Sequence, residues 1–119
     1  MPVKNMVAFP KVNKHYLAWQ EDHHDEQKSK LYLLALNTEE EEKIQLFEGN
    51  IFFYDISDDY LVWQSNNRIY GYSFESKAIA QLDDNGFYPY INGKTAVWER
   101  LTDHGEKKFR VVLFKINSI

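Results

Sequence analysis

The sequence FYDISDDYLVWQ, residues 53–64, decides the fold because its pattern occurs three times in the chain. Residues 9–20 (FPKVNKHYLAWQ) and residues 88–99 (YPYINGKTAVWE) align with it without a gap. Each copy begins with an aromatic residue and ends in an apolar run that is closed by Trp and then by Gln or Glu. The tryptophans lie 44 and 35 residues apart, a spacing typical of repeat proteins, so the repeat predicts the architecture.

A second block of each repeat also aligns without a gap. Its three copies are LYLLALNT at 31–38, IYGYSFES at 69–76 and VVLFKINS at 111–118. The apolar runs of both blocks are short and bounded by turn residues, which favours strands over helices. We therefore expect an all-β chain.

Each repeat is predicted to contain strands A, B and C, and the first two repeats also contain a weaker strand D. Asn92-Gly93 predicts a type I′ hairpin turn between strands A and B, since that turn needs positive φ at both central residues. Strands B and C are nearly continuous apolar runs, which indicates cover on both faces. Residues 38–47 begin with a capping-box pattern, so a short helix is the alternative to the first strand D. The predicted strands are 7–12, 51–56 and 87–91 for A, 16–20, 60–64 and 95–100 for B, the second blocks for C, and 43–46 and 79–82 for D.

The repeat resembles the blades of TolB-like and WD40-like β-propellers. Blades of these families carry a Pro-containing strand A, an apolar strand B that ends in an aromatic residue, and an Ile-Tyr type strand C. The matching features here are Phe9-Pro10 and Tyr88-Pro89, the three tryptophans, and Ile69-Tyr70. The resemblance implies one domain over residues 1–119 with three four-stranded antiparallel blades at about 7–48, 51–84 and 86–119, the last lacking its outer strand. It implies no particular activity, because propellers support unrelated functions.

Three blades are too few to close a propeller, which needs about four to eight. An open arc leaves an apolar flank at each end, and such flanks are interfaces or aggregation sites. We therefore expect a homodimer related by a two-fold axis, in which each chain supplies half of a six-bladed ring. Residues 1–6 are expected to pair with the open edge of the partner's third blade. The alternative is that the chain is a fragment of a longer propeller protein.

Composition excludes several classes of function. The chain has 119 residues, of which 44% are hydrophobic, and a formal net charge of −4 that argues against nucleic acid as a partner. It has no Cys, so neither disulfides nor thiolate metal sites are possible. It contains no apolar run of membrane-spanning length and no signal-peptide pattern, so we expect no membrane partner and a cytoplasmic location, or an extracytoplasmic one if the chain is a fragment.

Two connections from strand B to strand C contain possible metal ligands. Equivalent loops of a propeller lie on one rim, where imidazole and carboxylate groups together suit Zn, Ni or Mn. The adjacent histidines lack the spacing that fixes two ligands on one helix face, and a solvated hairpin tip is the simpler interpretation. The candidate metal ligands are His23, His24 and His104, and the carboxylates beside them, which are candidates for a ligand-binding rim, are Asp22, Asp25 and Asp103.

The sequence contains no recognised catalytic motif. Asp55 is the acidic residue of strand A expected to face a propeller channel, so it joins the candidate ligand-binding residues. The repeated tryptophans have two interpretations, packing between blades or stacking on a ligand, and their fixed position favours packing. We expect a non-catalytic interaction module without a cofactor whose partners are a second copy and possible protein or carbohydrate ligands. The alternative is a metal-dependent or carboxylate-dependent enzyme at the rim or channel.

Overall fold

The computed structural model describes residues 5–23, 28–36, 43–101 and 109–116. These residues form eleven strands and no helix, so the all-β prediction is confirmed for them. Nothing in this described part of the chain forms an apolar helix of membrane-spanning length. The strands are β1 (Asn5–Val12), β2 (Tyr16–His23), β3 (Lys28–Ala35), β4 (Lys43–Gly49), β5 (Ile51–Ile56), β6 (Tyr60–Ser65), β7 (Arg68–Ser73), β8 (Ile79–Asp83), β9 (Phe87–Asn92), β10 (Thr95–Leu101) and β11 (Phe109–Lys115).

The strands form three antiparallel sheets that follow the three repeats. The first sheet has the order β1-β2-β3-β4, the second β5-β6-β7-β8, and the third β9-β10-β11. Each sheet is a meander in which neighbours along the chain are neighbours in the sheet. The chain divides into two compact units, Met1–Ile51 and Phe52–Ile119. The first unit contains the first sheet, and the second unit contains the second sheet, apart from its first residue, together with the third sheet.

The sequence repeat is a repeat of strand register. Trp19 lies opposite Tyr32, Trp63 opposite Tyr70, and Trp98 opposite Val112. In the first two sheets the paired rings stack, with ring centroids 5.6 and 5.7 Å apart. Side chains directly opposite each other on antiparallel strands are the contacts that stabilise a sheet. In the first two sheets, the fixed Trp position is therefore explained by a cross-strand contact between aromatic rings.

The two Pro-containing strands bulge at the same point of the repeat. The register shifts between Ala8 and Lys11 in β1, and again where Tyr88 and Pro89 stand opposite Trp98. Proline cannot donate to the ladder, so within sheets it is confined to edges and bulges. The Phe-Pro and Tyr-Pro pairs of the sequence are the signals of these bulges.

One sequence prediction needs correction, and one alternative is decided. The hairpin pairs Asn92 with Thr95, so its central residues are Gly93 and Lys94, and of these only Gly93 has positive φ, at 57°. The turn is therefore not type I′, which needs two such residues. Residues 43–49 are a strand, so the alternative helix does not extend over them. Asn5 and Met6 pair with β2 of their own sheet, in which β1 is an edge strand. Residues 1–4 lie outside the described residues, so the pairing of residues 1–6 with a partner's third blade stays a prediction.

Within the second unit, the second and third sheets pack face to face. Side chains of β6 and β7 meet side chains of β9, β10 and the residue after β11, and Leu82 of β8 packs against them. Trp98 is 2% exposed, which confirms the packing role expected for it. The core cluster consists of Tyr60, Val62, Ile69, Ile91, Ala96, Trp98 and Ile116.

Cover on both faces was predicted for every strand B and C, and the structure confirms it only in part. All six residues of β6 are buried. In β10 the burial alternates between one buried residue and one half-buried residue over Thr95 to Glu99, and the described side chains of β11 are exposed. Successive side chains of a strand point to opposite faces, so the third sheet is covered on one face only.

Candidate functional site

Of the predicted metal ligands, the structure describes only the backbone of His23. His23 is the last residue of β2, where its backbone pairs with that of Lys28. Among the residues that the structure describes, no three His, Asp or Glu side chains form a group able to hold a metal ion. The other candidates at the two loops lie outside the described residues, namely His24, Asp25, Asp103 and His104.

Asp22, the remaining carboxylate of the predicted rim, takes part in a local hydrogen-bond network. Its Oδ1 accepts hydrogen bonds from Ser29 Oγ at 2.8 Å and from Gln20 Nε2 at 3.0 Å. Gln20 Nε2 also donates to Ile51 O at 3.2 Å, at the end of the first unit. These contacts connect β2 to β3 and to the backbone at the start of the next repeat, so Asp22 has a structural use.

Asp55 also accepts a hydrogen bond from the protein. Its Oδ2 accepts the backbone N–H of Ile91 at 2.9 Å. This bond joins β5 of the second sheet to β9 of the third sheet. Asp22 belongs to the first unit and Asp55 to the second.

The contact between the second and third sheets defines two faces of the repeat. We call the face of the second sheet that carries Tyr60, Val62, Gln64 and Ile69 its trailing face. Opposite it lies the leading face of the third sheet, which carries Ile91, Ala96, Trp98 and Ile116. The apolar side chains of both faces belong to one core cluster, and each is at most 8% exposed.

Hydrogen bonds from side chains to backbone groups add to this apolar contact between the second and third sheets. Gln64 Oε1 accepts the backbone N–H of Tyr88 at 2.8 Å, and Ser57 Oγ donates to Gly93 O at 2.8 Å. Together with the Asp55 bond, three side chains of the second repeat bind backbone groups of the third repeat. Backbone groups away from water must be paired, so these bonds fix how one repeat sits on the next.

The trailing face of the third sheet presents the same repeat positions without cover from the described residues. Val97 is equivalent to Val62, and Val111 is equivalent to Ile69. Val62 and Ile69 are 0% exposed, whereas Val97 is half-buried and Val111 is 66% exposed. Leu113, opposite Val97 in the register, is 73% exposed. The third sheet therefore exposes the apolar face that the second sheet buries.

A cleft of about 360 Å³ lies on this open face. Of its lining residues, Glu99 alone is charged, and it is half-buried. Glu99 follows Trp98 as Gln64 follows Trp63, so it occupies the position of the residue that binds Tyr88 in the covered interface. The cleft is lined by Tyr88, Tyr90, Val97, Trp98, Glu99 and Val111.

Tyr88 has an unusual backbone conformation at the edge of this cleft. Its φ is 55°, in the left-handed region that bulky residues adopt only at a cost of about 1–2 kcal/mol. The bulge and the bond to the Gln64 side chain hold it there. The ring makes an edge contact with Phe53, with centroids 6.4 Å apart. The Tyr88 side chain is half exposed and lines the cleft on the open face. The contact between the second and third sheets therefore fixes the backbone of a residue whose side chain lies in that cleft.

The leading face of the first sheet is the second open surface of the repeat. Val12 is equivalent to Ile91, yet it is 62% exposed where Ile91 is 8% exposed. Leu17, Trp19 and Leu36 occupy the positions of buried leading-face residues of the third sheet and are only half-buried. The first sheet thus exposes, in part, the face by which the third sheet packs.

Sequence reasoning predicted apolar flanks but placed the ligand on loops and at a channel. It missed Glu99, Tyr90 and Leu113 because a nearly continuous apolar strand does not reveal which of its two faces is open. The available signal was the alignment itself, since Glu99 replaces a Gln found at the same position of both other repeats, Gln20 and Gln64.

Comparison of the chain with models of known protein families, with characterised proteins and with solved structures found no match. The resemblance to propeller blades therefore rests on the repeat pattern alone.

Proposed function

We propose that this chain is a non-catalytic assembly module that binds a second copy of itself through the trailing face of its third sheet. One observation carries the proposal. The trailing face is buried in the second sheet, whereas the same face, with the equivalent repeat positions, is open in the third sheet. Exposed contiguous apolar surface of this kind marks interaction sites in folded proteins. Burial of Val111 and Leu113 supplies the apolar area that drives such a contact.

The proposed occupant is the leading face of the first sheet of the second copy. That face has the positions by which the third sheet packs on the second, and its Val12 side chain is 62% exposed. The same packing rule would then operate between chains as within the second unit. A contact of one face with a different face closes on itself when two copies are related by a two-fold axis, since each chain gives one face and receives the other.

Closure of this kind makes two chains with three sheets each into a ring of six blades, within the range found for propellers. The four-stranded meander sheets and the stacking of the second sheet on the third support the propeller interpretation. Asp22 and Asp55 accept hydrogen bonds from neighbouring protein groups, which favours a structural role for them over a catalytic one.

The substitution Leu113→Asp tests the proposal. It places a charge at the centre of the apolar contact, and burial of an unpaired charge is strongly unfavourable. We expect the dissociation constant of the dimer to rise about a hundredfold or more, measured by light scattering across a concentration series. Ile79→Asp is the matched control, because Ile79 is an exposed residue of β8, outside both proposed faces, and this change should leave the dimer intact. Equal behaviour of the two variants would contradict the assigned interface.

A further inference from the structure

The open face of the third sheet contains one polar group whose repeat equivalents have a defined task. Gln64, immediately after Trp63, accepts the backbone N–H of Tyr88 in the strand that begins the next repeat. Gln20, immediately after Trp19, donates to the backbone of Ile51, where the strand of its next repeat begins. In both repeats the residue after Trp therefore binds the backbone of the following strand A.

Glu99 is the residue after the third Trp, and no following strand A lies against it among the residues that the structure describes. Its carboxylate is half-buried in an otherwise uncharged cleft, and it forms no hydrogen bond or ion pair with another residue that the structure describes. A carboxylate in a buried contact is unfavourable unless it accepts hydrogen bonds. The position thus requires a donor from whatever covers the face.

The first strand of the chain has the matching donor. Phe9 aligns with Tyr88, each is followed by Pro, and each lies in a bulge of its strand. In β1 the register passes from Ala8 to Lys11, so Phe9 has no Cα partner across the ladder to β2. The backbone N–H of Phe9 is therefore the group equivalent to the N–H that Gln64 binds.

We propose that Glu99 accepts a hydrogen bond from the Phe9 backbone N–H of a second copy of the chain, and that this bond sets the register of the two faces. The inference rests on the proposed function, because it names the polar contact within that assembly. The two-fold relation makes the contact occur twice, once in each direction. This hydrogen bond favours a second copy as the partner over a generic apolar surface. Its acceptor Glu99 and its donor Phe9 occupy the repeat positions of Gln64 and Tyr88, which are bonded in the contact between the second and third sheets.

Glu99→Leu distinguishes this contact from simple apolar docking. A purely apolar interface gains area from Leu and should bind more tightly. If Glu99 binds the N–H, Leu leaves a buried donor unpaired, and we expect the dissociation constant of the dimer to rise about tenfold or more. Glu99→Gln should retain or improve the affinity, because Gln performs this task in the covered interface. Glu75→Leu is the control, since Glu75 is exposed in the turn after β7.

Amide hydrogen exchange, measured by NMR at a concentration where each variant remains dimeric, reports the bond directly. The Phe9 amide should be protected in the wild type and in Glu99→Gln, and should exchange faster in Glu99→Leu, while the Tyr88 amide stays protected in all three. A monomeric wild type would overturn the assembly and this contact with it. A dimer whose affinity and Phe9 protection are unchanged by Glu99→Leu would overturn the contact alone.

Discussion

At the scale of single residues, Gly86 shows how closely the second and third sheets approach. A Cβ atom at Gly86 would lie 2.4 Å from Ile69 Cγ1 and 2.9 Å from Trp98 Cδ1, so a side chain has no room. The Gly86 N–H donates to Asn67 O at 2.7 Å, which fixes its position against the second sheet. The dipeptide Asn85-Gly86 is typical of a turn, but Gly86 does not have positive φ. Its role is close approach.

Gly86→Ala should therefore destabilise the protein by about 1–3 kcal/mol, since extra volume in a tightly packed core forces neighbours to move. Urea denaturation measures the change. Gly93→Asn serves as the control, because Gly93 has φ of 57° with open space around it, and Asn tolerates that conformation better than other residues. A Gly86→Ala protein as stable as the Gly93→Asn protein would show that the two sheets are not packed this closely.

At the scale of elements, one face of the repeat is buried in the second sheet and open in the third. Val62 and Val97 are the same residue type at the same repeat position, and they differ in cover. Loss of two methyl groups costs free energy in proportion to the area that the protein removes from water. The same substitution at Val62 and at Val97 therefore measures how much the free energy of unfolding depends on whether the trailing face is covered.

In a Leu113→Asp background, which we expect to be monomeric, Val62→Ala should lower the free energy of unfolding by about 1–3 kcal/mol. Val97→Ala should lower it by less than Val62→Ala does, because Val97 is only half-buried whereas Val62 is 0% exposed. In the wild-type background Val97→Ala should weaken the dimer instead, which light scattering would detect. Equal losses at the two positions in the monomer would mean that another part of the chain covers the third sheet.

Most strands could be predicted from the sequence, because a strand pattern that is weak in one repeat is supported by the aligned residues of the other repeats. The eleven strands lie where the aligned blocks and turn residues indicated them, within a few residues at their ends. The type I′ turn was predicted wrongly because the dipeptide Asn92-Gly93 does not specify the register, and pairing of Asn92 with Thr95 shifts the turn by one residue. Cover on both faces was overestimated for β10 and β11, because apolarity predicts a tendency to be buried and not the presence of a partner.

At the scale of the whole molecule, the candidate site follows from counting repeats. The last repeat ends with an open trailing face, and the first repeat begins with a partly open leading face. The sequence predicted that such faces exist but not which residues form them, since that requires the strand register and the core cluster between the second and third sheets. The proposed dimer uses both faces and leaves neither end of the repeat exposed.

Sedimentation equilibrium of the unmodified chain tests the central claim most directly. The chain has a mass of 14.2 kDa, and the account predicts a species of twice that mass that persists over a wide concentration range, because two identical contacts must break together. Masses that grow steadily with concentration would indicate an open, non-closing contact. A single species of 14.2 kDa at every concentration would contradict the account.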